Sequence, residues 1–400
     1  MVGEIVKLTE VKLKDISKNN RGYYGIGASA VDYDENKYTY LRITDINDDG
    51  TLNTTALMSV DDDNACEFLL KENDIVFART GASTGRNYFY DGEINNMVFA
   101  GFLIKFSLDK EKVNPRFIKY YCLSQNYKNW IASSLTGSTR PNINERQLSE
   151  MPIILPDREY QDRAVKVLDA ITRKIKLNNQ VNDNLFEQLK ILYEEKINKY
   201  KNIELPEGWK YKKLKDIATF SQGVQVPIEE QTEEKTNDSN IRFIRIVDIT
   251  QGNKKDIRYI EDKKRGYVKE DEIFMIRYGT PGILSRNYNG IIANNLFKIS
   301  PKENMTSEYL FSALKTDEVQ NYIKQNATSS TMPAINFNTL NDQEIIVASD
   351  DIIKDFSAIS NLIRKKQLSL KTENEILERL RDTLLPKLMN GEIDLDRIEV

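Results

Sequence analysis

The chain has 400 residues, of which 40% are hydrophobic and 30% charged, and its net charge is −4. One hydrophobic core rarely supports this length, so we expect two or more domains. No apolar run approaches the roughly 20 residues that cross a bilayer, and charges interrupt the N-terminal stretch where an export signal would be apolar, so we expect no membrane partner and a cytoplasmic location. The sequence has no histidine and two cysteines, which excludes catalytic triads, histidine-metal nucleases and four-ligand zinc sites.

Three segments of the first half recur in the same order in the second half. The first pair predicts a strand by its apolar alternation, the second predicts a strand leading into a glycine loop, and the third precedes an apolar strand. The pairs are 40–46 with 243–249, 71–81 with 269–279, and 138–144 with 330–336. A repeat of about 200 residues indicates duplication of a whole domain plus a helix.

A long helix is predicted at the end of each repeat. The first begins after Pro156, where Asp157 can cap it, and reaches about residue 200; the second covers about 351–389. Their apolar residues keep a 3-4 spacing, which predicts an antiparallel coiled coil. The predicted pairing residues are Leu168, Ile171, Ile175, Leu185, Leu189, Leu192, Phe356, Ile359, Ile363, Leu370, Leu377 and Leu384. Asn178 and Asn182 either fix the register of this seam or face solvent.

The predicted fold is α+β, with two tandem bodies related by a pseudo-twofold axis and a long helix after each. The predicted divisions are 1–156, 157–201, 202–348, and 349–400, the last with a C-terminal tail. The re-entry into the second body is marked by Leu-Pro-Glu-Gly-Trp at 205–209, where proline and glycine break a helix.

Several of these motifs together resemble the specificity subunit of type I restriction-modification systems over essentially the whole chain. They include the segment 205–209 followed by Leu-Lys-Asp-Ile at 214–217, the same Leu-Lys-Asp-Ile at 13–16, and the ending at 384–393. The arginine-glycine loops at Arg79 and Arg277 and the two Ser-Thr-x-Pro-x-Ile segments complete the pattern.

The resemblance implies that each body is a target recognition domain that reads one half of a split site in double-stranded DNA. It implies that the helices act as a ruler and dock two methyltransferase subunits, with a separate endonuclease/translocase subunit in the complex. S-adenosylmethionine, ATP and magnesium would belong to those partners, and this chain would be non-catalytic with no cofactor or metal of its own. The second helix entry departs from the pattern, because 349–352 lacks the Leu-Pro and Gln161 of the first.

Candidate DNA contacts lie in loops of both bodies, because a reader of duplex DNA needs polar groups at base edges and basic or hydroxyl groups against phosphates. In the first body they are Tyr23, Tyr24, Arg42, Arg79, Thr80, Ser83, Thr84, Arg86, Asn87, Ser138, Thr139 and Arg140, and in the second Gln222, Gln225, Arg245, Arg277, Tyr278, Thr280, Ser330 and Thr331. Alternatives stay open for each group. The loop arginines could be structural, the hydroxyl clusters could cap helices, and the tyrosines and glutamines could be solvated loop residues.

Two rival functions have different support. An enzyme would need chemistry that the sequence lacks, since it has neither a Gly-x-x-x-x-Gly-Lys-Ser/Thr loop nor an Asn/Asp-Pro-Pro-aromatic motif. A non-DNA coiled-coil scaffold is the more serious alternative, because paired long helices suit any adaptor. Two duplicated, loop-rich bodies favour DNA recognition over a scaffold.

Overall fold

The computed structural model of the chain describes residues 6–135, 141–250, 256–328 and 333–395. The chain divides into two compact units. Unit 1 comprises Met1–Lys176 and Asn374–Val400, and unit 2 comprises Leu177–Glu373. The boundary therefore falls inside both long helices, α4 (Arg158–Lys196) and α10 (Asp350–Met389).

Unit 1 contains an antiparallel strand pair, β1-β10, and two four-stranded sheets, β2-β9-β6-β7 and β3-β5-β4-β8. Its strands are β1 (Thr9–Lys12), β2 (Tyr23–Tyr24), β3 (Ala30–Val31), β4 (Tyr38–Leu41), β5 (Met58–Val60), β6 (Asp74–Ala78), β7 (Asn87–Tyr90), β8 (Met97–Phe99), β9 (Leu103–Ser107) and β10 (Pro152–Leu155). Its short α-helices are α1 (Pro115–Tyr121), α2 (Gln125–Ser134) and α3 (Glu145–Ser149).

Unit 2 repeats this arrangement, with the pair β11-β20 and the sheets β12-β19-β16-β17 and β14-β13-β18-β15. Its strands are β11 (Lys210–Lys213), β12 (Ala218–Gln222), β13 (Asn240–Ile244), β14 (Arg258–Glu261), β15 (Tyr267–Val268), β16 (Ile273–Ile276), β17 (Leu284–Ser285), β18 (Gly290–Ile292), β19 (Leu296–Pro301) and β20 (Glu344–Val347). Its short α-helices are α5 (Leu214–Ile217), α6 (Ile246–Thr250), α7 (Ser307–Leu314), α8 (Asp317–Gln325) and α9 (Phe337–Asn341). Strands β4 and β8 in unit 1, and β13 and β18 in unit 2, pair in parallel. The duplication predicted from the sequence is therefore a duplication of topology, except that the outer strand of the second sheet is β3 beside β5 in unit 1 and β15 beside β18 in unit 2.

Two of the three strand predictions are confirmed, and one is wrong in its second half. Strands β6 and β16 lead into glycine loops, and β10 and β20 follow the Pro-x-Ile segments. The strand predicted over 40–46 ends at Leu41, and that over 243–249 ends at Ile244. The carboxylates of Asp45 and Asp248 accept hydrogen bonds from the backbone N of Arg42 and Arg245, both at 2.8 Å. These bonds start a short helical turn instead of extending the strand.

Each unit builds its core from both long helices. In unit 1, Phe77 and Phe117 pack with Leu168 of α4 and Leu388 of α10. In unit 2, Tyr193 of α4, Tyr309 of α7 and Phe356 of α10 meet edge to face, with ring centroids 5.5, 5.6 and 5.8 Å apart. Such aromatic pairs stabilise by about 0.5–1.5 kcal/mol each beyond their buried area.

The two helix entries differ in chemistry. Asp157 caps α4 as predicted, since its Oδ1 accepts from the backbone N of Tyr160 at 2.9 Å. Gln161 is buried at this entry, where its Oε1 accepts from Asn114 N at 2.9 Å and its Nε2 donates to Pro156 O at 2.8 Å. The α10 entry instead buries the apolar Ile353. Helix α4 ends before residue 200 because Asn198–Tyr200 form a 3₁₀ turn.

Within unit 2 the long helices run in opposite directions. Asn178 donates to Glu373 Oε2 at 3.0 Å, and Gln367 donates to the carbonyl of Asn182 at 3.3 Å. Along the contact, residue numbers on α10 therefore decrease as those on α4 increase, so the two helices are antiparallel. Asn178 is only 3% exposed and lies in the seam, not in solvent.

The predicted pairing residues vary in burial. Buried are Leu168, Ile171, Leu189, Phe356 and Leu370, whereas Ile175, Leu185, Leu192, Ile363, Leu377 and Leu384 are half-buried. Ile359 departs from the prediction, because it is 39% exposed. The neighbouring Ser360 is buried in its place and donates to the carboxylate of Glu308 at 2.8 Å.

Ion pairs of opposite polarity attach each body to the long helix that follows it. In unit 1, Arg116 of α1 donates to both carboxylate oxygens of Asp169 on α4, at 2.6 and 2.9 Å. In unit 2 the body supplies the acid: Glu308 of α7 accepts from Arg364 of α10 at 2.8 Å and from Arg286 at 2.6 Å. Burial lowers the pKa of Arg286, and the Glu308 carboxylate opposes that shift.

We expect Glu308→Ala to destabilise unit 2 by about 3–5 kcal/mol, because it leaves the buried Arg286 and the half-buried Arg364 without their carboxylate. Urea unfolding followed by Trp209 fluorescence, in a Trp130→Phe background, measures this loss. The exposed Glu303→Ala is the matched control. Equal stability of the two variants would contradict the structural role of Glu308.

Candidate nucleic-acid interface

The arginine-glycine loop and the Pro-x-Ile segment, which are far apart in sequence, are hydrogen-bonded neighbours in each unit. In unit 1, Gly81 N donates to Pro141 O at 3.1 Å and Ile143 N donates to Arg79 O at 2.8 Å. In unit 2, Gly279 N donates to Pro333 O at 2.8 Å and Ile335 N donates to Arg277 O at 2.9 Å. We call these the loop pairs: 79–84 with 141–143 in unit 1, and 277–280 with 333–335 in unit 2.

Glycines give each loop pair its shape. Gly81 and Gly279 have φ of 73° and 78°, which side chains other than glycine rarely adopt. Gly85 and Gly282 allow the loops to pack closely against the neighbouring helices α2 and α8, because they have no side chain. A Cβ on Gly85 would lie 2.7 Å from Ile131 Cγ2 of α2, and one on Gly282 would lie 3.0 Å from Ile323 Cγ2 of α8.

Arg79 and Arg277 share one unusual property. Each is half-buried, and its Nε is buried with no hydrogen-bond partner among the described residues. The Arg79 guanidinium lies over the Tyr24 ring, 4.9 Å from its centroid, and that of Arg277 over the Tyr278 ring at 4.6 Å. Leaving a buried donor unpaired costs about 1–3 kcal/mol. The same feature occurs at equivalent loop positions in both repeats.

The early loops place Tyr24 and Gln222 at equivalent positions, opposite Ile104 and Phe297 in the strand registers. Each is followed by a glycine that touches the opposite backbone, since a Cβ on Gly25 or Gly223 would lie 2.2 Å from a carbonyl oxygen. Tyr24 and Gln222 are exposed, as is Gln225.

Internal bonds hold these early-loop side chains in place. Tyr24 Oη accepts from Glu145 N at 3.2 Å, and Gln222 Nε2 donates to Asn294 O at 3.0 Å. Hydrogen bonds from Arg21 and Asn19 hold the pKa of Tyr23 below its ordinary value.

Sequence analysis missed a turn that adjoins each loop pair. It covers 100–103 in unit 1 and 293–296 in unit 2. Arg79 N donates to Phe102 O, and Arg277 N donates to Asn295 O, both at 3.0 Å. The turn is visible in the sequence as a repeated Ala-x-x-Leu. Neither copy contains a basic or hydroxyl residue, which would have identified the turn as a candidate DNA contact.

Several predicted DNA contacts are engaged within the protein. Arg42 forms a bidentate pair with Asp45, Arg245 pairs with Asp248 and Asp256, and Arg86 donates to Asp48. Asn87 is buried and donates to the carbonyl of Cys122. Their contact with DNA stays a prediction, which these internal bonds do not favour.

The remaining candidates lie on or next to the loop pairs. Thr84 Oγ1 donates to Gly81 O at 2.7 Å, Thr80, Ser83 and Tyr278 are half-buried, and Thr280 is exposed. Ser138, Thr139, Arg140, Ser330 and Thr331 lie outside the described residues.

The described residues contain no group of three or more histidine, cysteine, aspartate or glutamate side chains arranged to hold a metal ion. No helix in the same ranges has the length and apolar character needed to cross a membrane.

The chain belongs to the family described as the type I restriction modification DNA specificity domain, which residues 5–187 and 206–378 both match. It is the DNA specificity subunit of a type I restriction-modification complex, a non-catalytic component of such a system. This membership confirms the resemblance inferred from the repeated motifs and decides against the scaffold alternative.

Known relatives support the assignment along most of the chain. The specificity subunit of type I restriction enzyme HindI from Haemophilus influenzae is 24% identical over 404 residues, covering 81% of this chain and 87% of that protein. The MjaIX specificity subunit of Methanocaldococcus jannaschii is 20% identical over 318 residues, covering 73% and 72%. The crystal structure of an S subunit from M. genitalium, at 17% identity, covers 97% of both chains with a TM-score of 0.56 and shares the fold.

We expect Gly85→Ala to destabilise unit 1 more than Gly81→Ala. Both substitutions place alanine at a positive φ, at roughly 1–2 kcal/mol, but only Gly85 adds a clash with Ile131, worth about 1–3 kcal/mol more. Trp130, next to Ile131 on α2, reports unfolding in a Trp209→Phe background. Equal losses would show that the loop is not seated on α2.

Proposed function

We propose that each unit reads one half of a bipartite double-stranded DNA target through its loop pair, its early loop and the adjoining turn. The observation that carries the proposal is a half-buried arginine at the same loop position in both units, Arg79 and Arg277, whose guanidinium lies over a tyrosine ring. Guanidinium groups donate to phosphate oxygens and to guanine O6 and N7. Glycine backbone beside each arginine allows close approach of a DNA strand.

The net charge of −4 is compatible with this function because the cations are unevenly distributed. Many acidic residues are neutralised locally. Glu150 pairs with Lys12 and Lys14, and Asp342 with Lys213 and Lys215. The pKa of Glu150 is lowered to about 2 by the hydrogen bonds from these lysines. The loop arginines have no such acidic partner among the described residues.

The long helices are the proposed docking surfaces for two methyltransferase subunits. Both carry large apolar side chains that are exposed: Leu177, Val181 and Ile191 on α4, and Leu362, Ile376 and Leu380 on α10. Exposed apolar groups of this size are typical of protein interfaces. An endonuclease/translocase subunit would join the same complex, and S-adenosylmethionine, ATP and magnesium would be bound by these partners in the cytoplasm.

The linear division into 1–156, 157–201, 202–348 and 349–400 remains a proposal about how the chain is organised into domains. It describes two target recognition domains and two helices. The compact units cut across it, because each takes residues from both helices.

Methylome sequencing tests the proposed function. Cells that express the chain with its methyltransferase partner are compared with cells that lack this chain alone. We expect a bipartite adenine-methylated motif that disappears with the chain. An unchanged methylome, with assembly of the complex demonstrated, would contradict the proposal.

We expect Arg79→Ala and Arg277→Ala each to weaken DNA binding by the assembled complex about 10-fold or more, through loss of a charge-assisted contact. If the contact is to phosphate, the slope of log affinity against log salt should fall by about 1. Arg79→Lys should restore the slope but only part of the affinity, because lysine lacks the planar fork. Arg158→Ala, at an exposed arginine paired with Asp162 on α4, is the control. An unchanged salt slope together with unchanged affinity would exclude both arginines from the interface.

A further inference from the structure

The turn beside each loop pair has the same backbone in both units but different side chains. In unit 1, Leu103 N donates to Ala100 O at 2.8 Å, and in unit 2, Leu296 N donates to Ala293 O at 2.9 Å. Each turn is tied to the loop arginine through the carbonyl of its third residue. The two middle residues are Gly101 and Phe102 in unit 1, and Asn294 and Asn295 in unit 2.

The turn of unit 1 presents aromatic groups. Phe102 is 60% exposed, and Tyr24, which holds the Arg79 guanidinium, is 43% exposed. Hydrophobic Phe99 and Leu103 on either side are buried, so Phe102 does not serve the core. An apolar ring that is exposed on a turn bonded to the Arg79 backbone is placed to contact a molecule that offers both apolar and anionic surface, as a DNA groove does.

The turn of unit 2 presents carboxamide groups. Asn294 Nδ2 donates to Gln225 Oε1 at 3.4 Å, and Gln222 Nε2 donates to Asn294 O at 3.0 Å. Asn295 Oδ1 is buried without a hydrogen-bond partner in the described residues. The turn of unit 2 therefore carries two carboxamides and lies next to two more, those of Gln222 and Gln225. The corresponding groups in unit 1 are the aromatic rings of Phe102 and Tyr24.

Resting on the proposed function, we propose that this turn determines base specificity in each half-site. Phe102 contacts the 5-methyl group of a thymine in the half-site read by unit 1, and Asn294 with Gln225 hydrogen-bonds the major-groove edge of an adenine in the half-site read by unit 2. Phenylalanine fits the thymine methyl, and a carboxamide matches the N6 donor and N7 acceptor of adenine. The unequal turns make the two half-sites different sequences.

A major-groove contact suits Phe102 better than insertion between base pairs. Its turn is a four-residue reversal whose Phe102 carbonyl accepts a hydrogen bond from Arg79 N, and the major groove, at about 12 Å, is wide enough to admit elements of protein backbone. A wedge would instead have to open a base step from the minor groove.

The test uses the assembled complex and duplexes that carry the half-sites found by methylome sequencing. Each thymine of the first half-site is replaced by uracil, which removes only the methyl group. Each adenine of the second is replaced by 7-deazaadenine, which removes only the N7 acceptor. We expect one uracil position and one deazaadenine position to weaken binding about 5-fold or more.

Phe102→Ala should abolish the uracil effect and leave the second half-site unchanged, and Asn294→Ala should abolish the deazaadenine effect and leave the first unchanged. Tyr33→Ala, at an exposed aromatic residue elsewhere in unit 1, is the matched control. Uracil discrimination that survives Phe102→Ala would overturn the assignment for unit 1, and deazaadenine discrimination that survives Asn294→Ala would overturn it for unit 2. Weaker binding by Phe102→Ala with every uracil tolerated would overturn the methyl contact in favour of a wedge. The bipartite motif itself would remain in all these cases, so they are distinguishable from failure of the proposed function.

Discussion

Each unit depends on the antiparallel pairing of the two long helices, because neither body completes its core alone. Leu168 and Leu388 close the core of unit 1, and Tyr193 and Phe356 close that of unit 2. One residue of each pair comes from α4 and the other from α10. The apolar area that stabilises a recognition body is thus supplied by residues far apart in the sequence, and the position of every loop depends on it.

The ion pairs between body and helix add specificity to this packing. Arg116 meets Asp169 in unit 1, whereas Glu308 meets Arg364 in unit 2. The body is basic at the first contact and acidic at the second. A body placed on the wrong helix would bring like charges together at a half-buried or buried position, which costs energy. The opposite charges of these two ion pairs therefore favour the packing of each body against its own helix.

The two repeats share the loop arginine but differ in the adjoining turn. Arg79 and Arg277 have the same backbone bonds, an aromatic ring beside the guanidinium and an unpaired Nε. The turn next to them changes from Phe102 to Asn294 and Asn295. A constant cation next to a variable turn is the arrangement expected when one contact fixes register and another reads bases.

The sequence alone predicts the duplication, the two long helices, their antiparallel pairing and the loops at Arg79 and Arg277, because repeats and hydrophobic periodicity are local patterns. It could not show that Ile359 is exposed while Ser360 is buried, since that depends on the carboxylate of Glu308 on another helix. It also could not separate Arg42, engaged by Asp45, from Arg79, whose Nε is unpaired, or find Phe102 beside Arg79. These points depend on the packed structure, because hydrogen-bond partners and burial involve residues that meet only when the strands and helices pack.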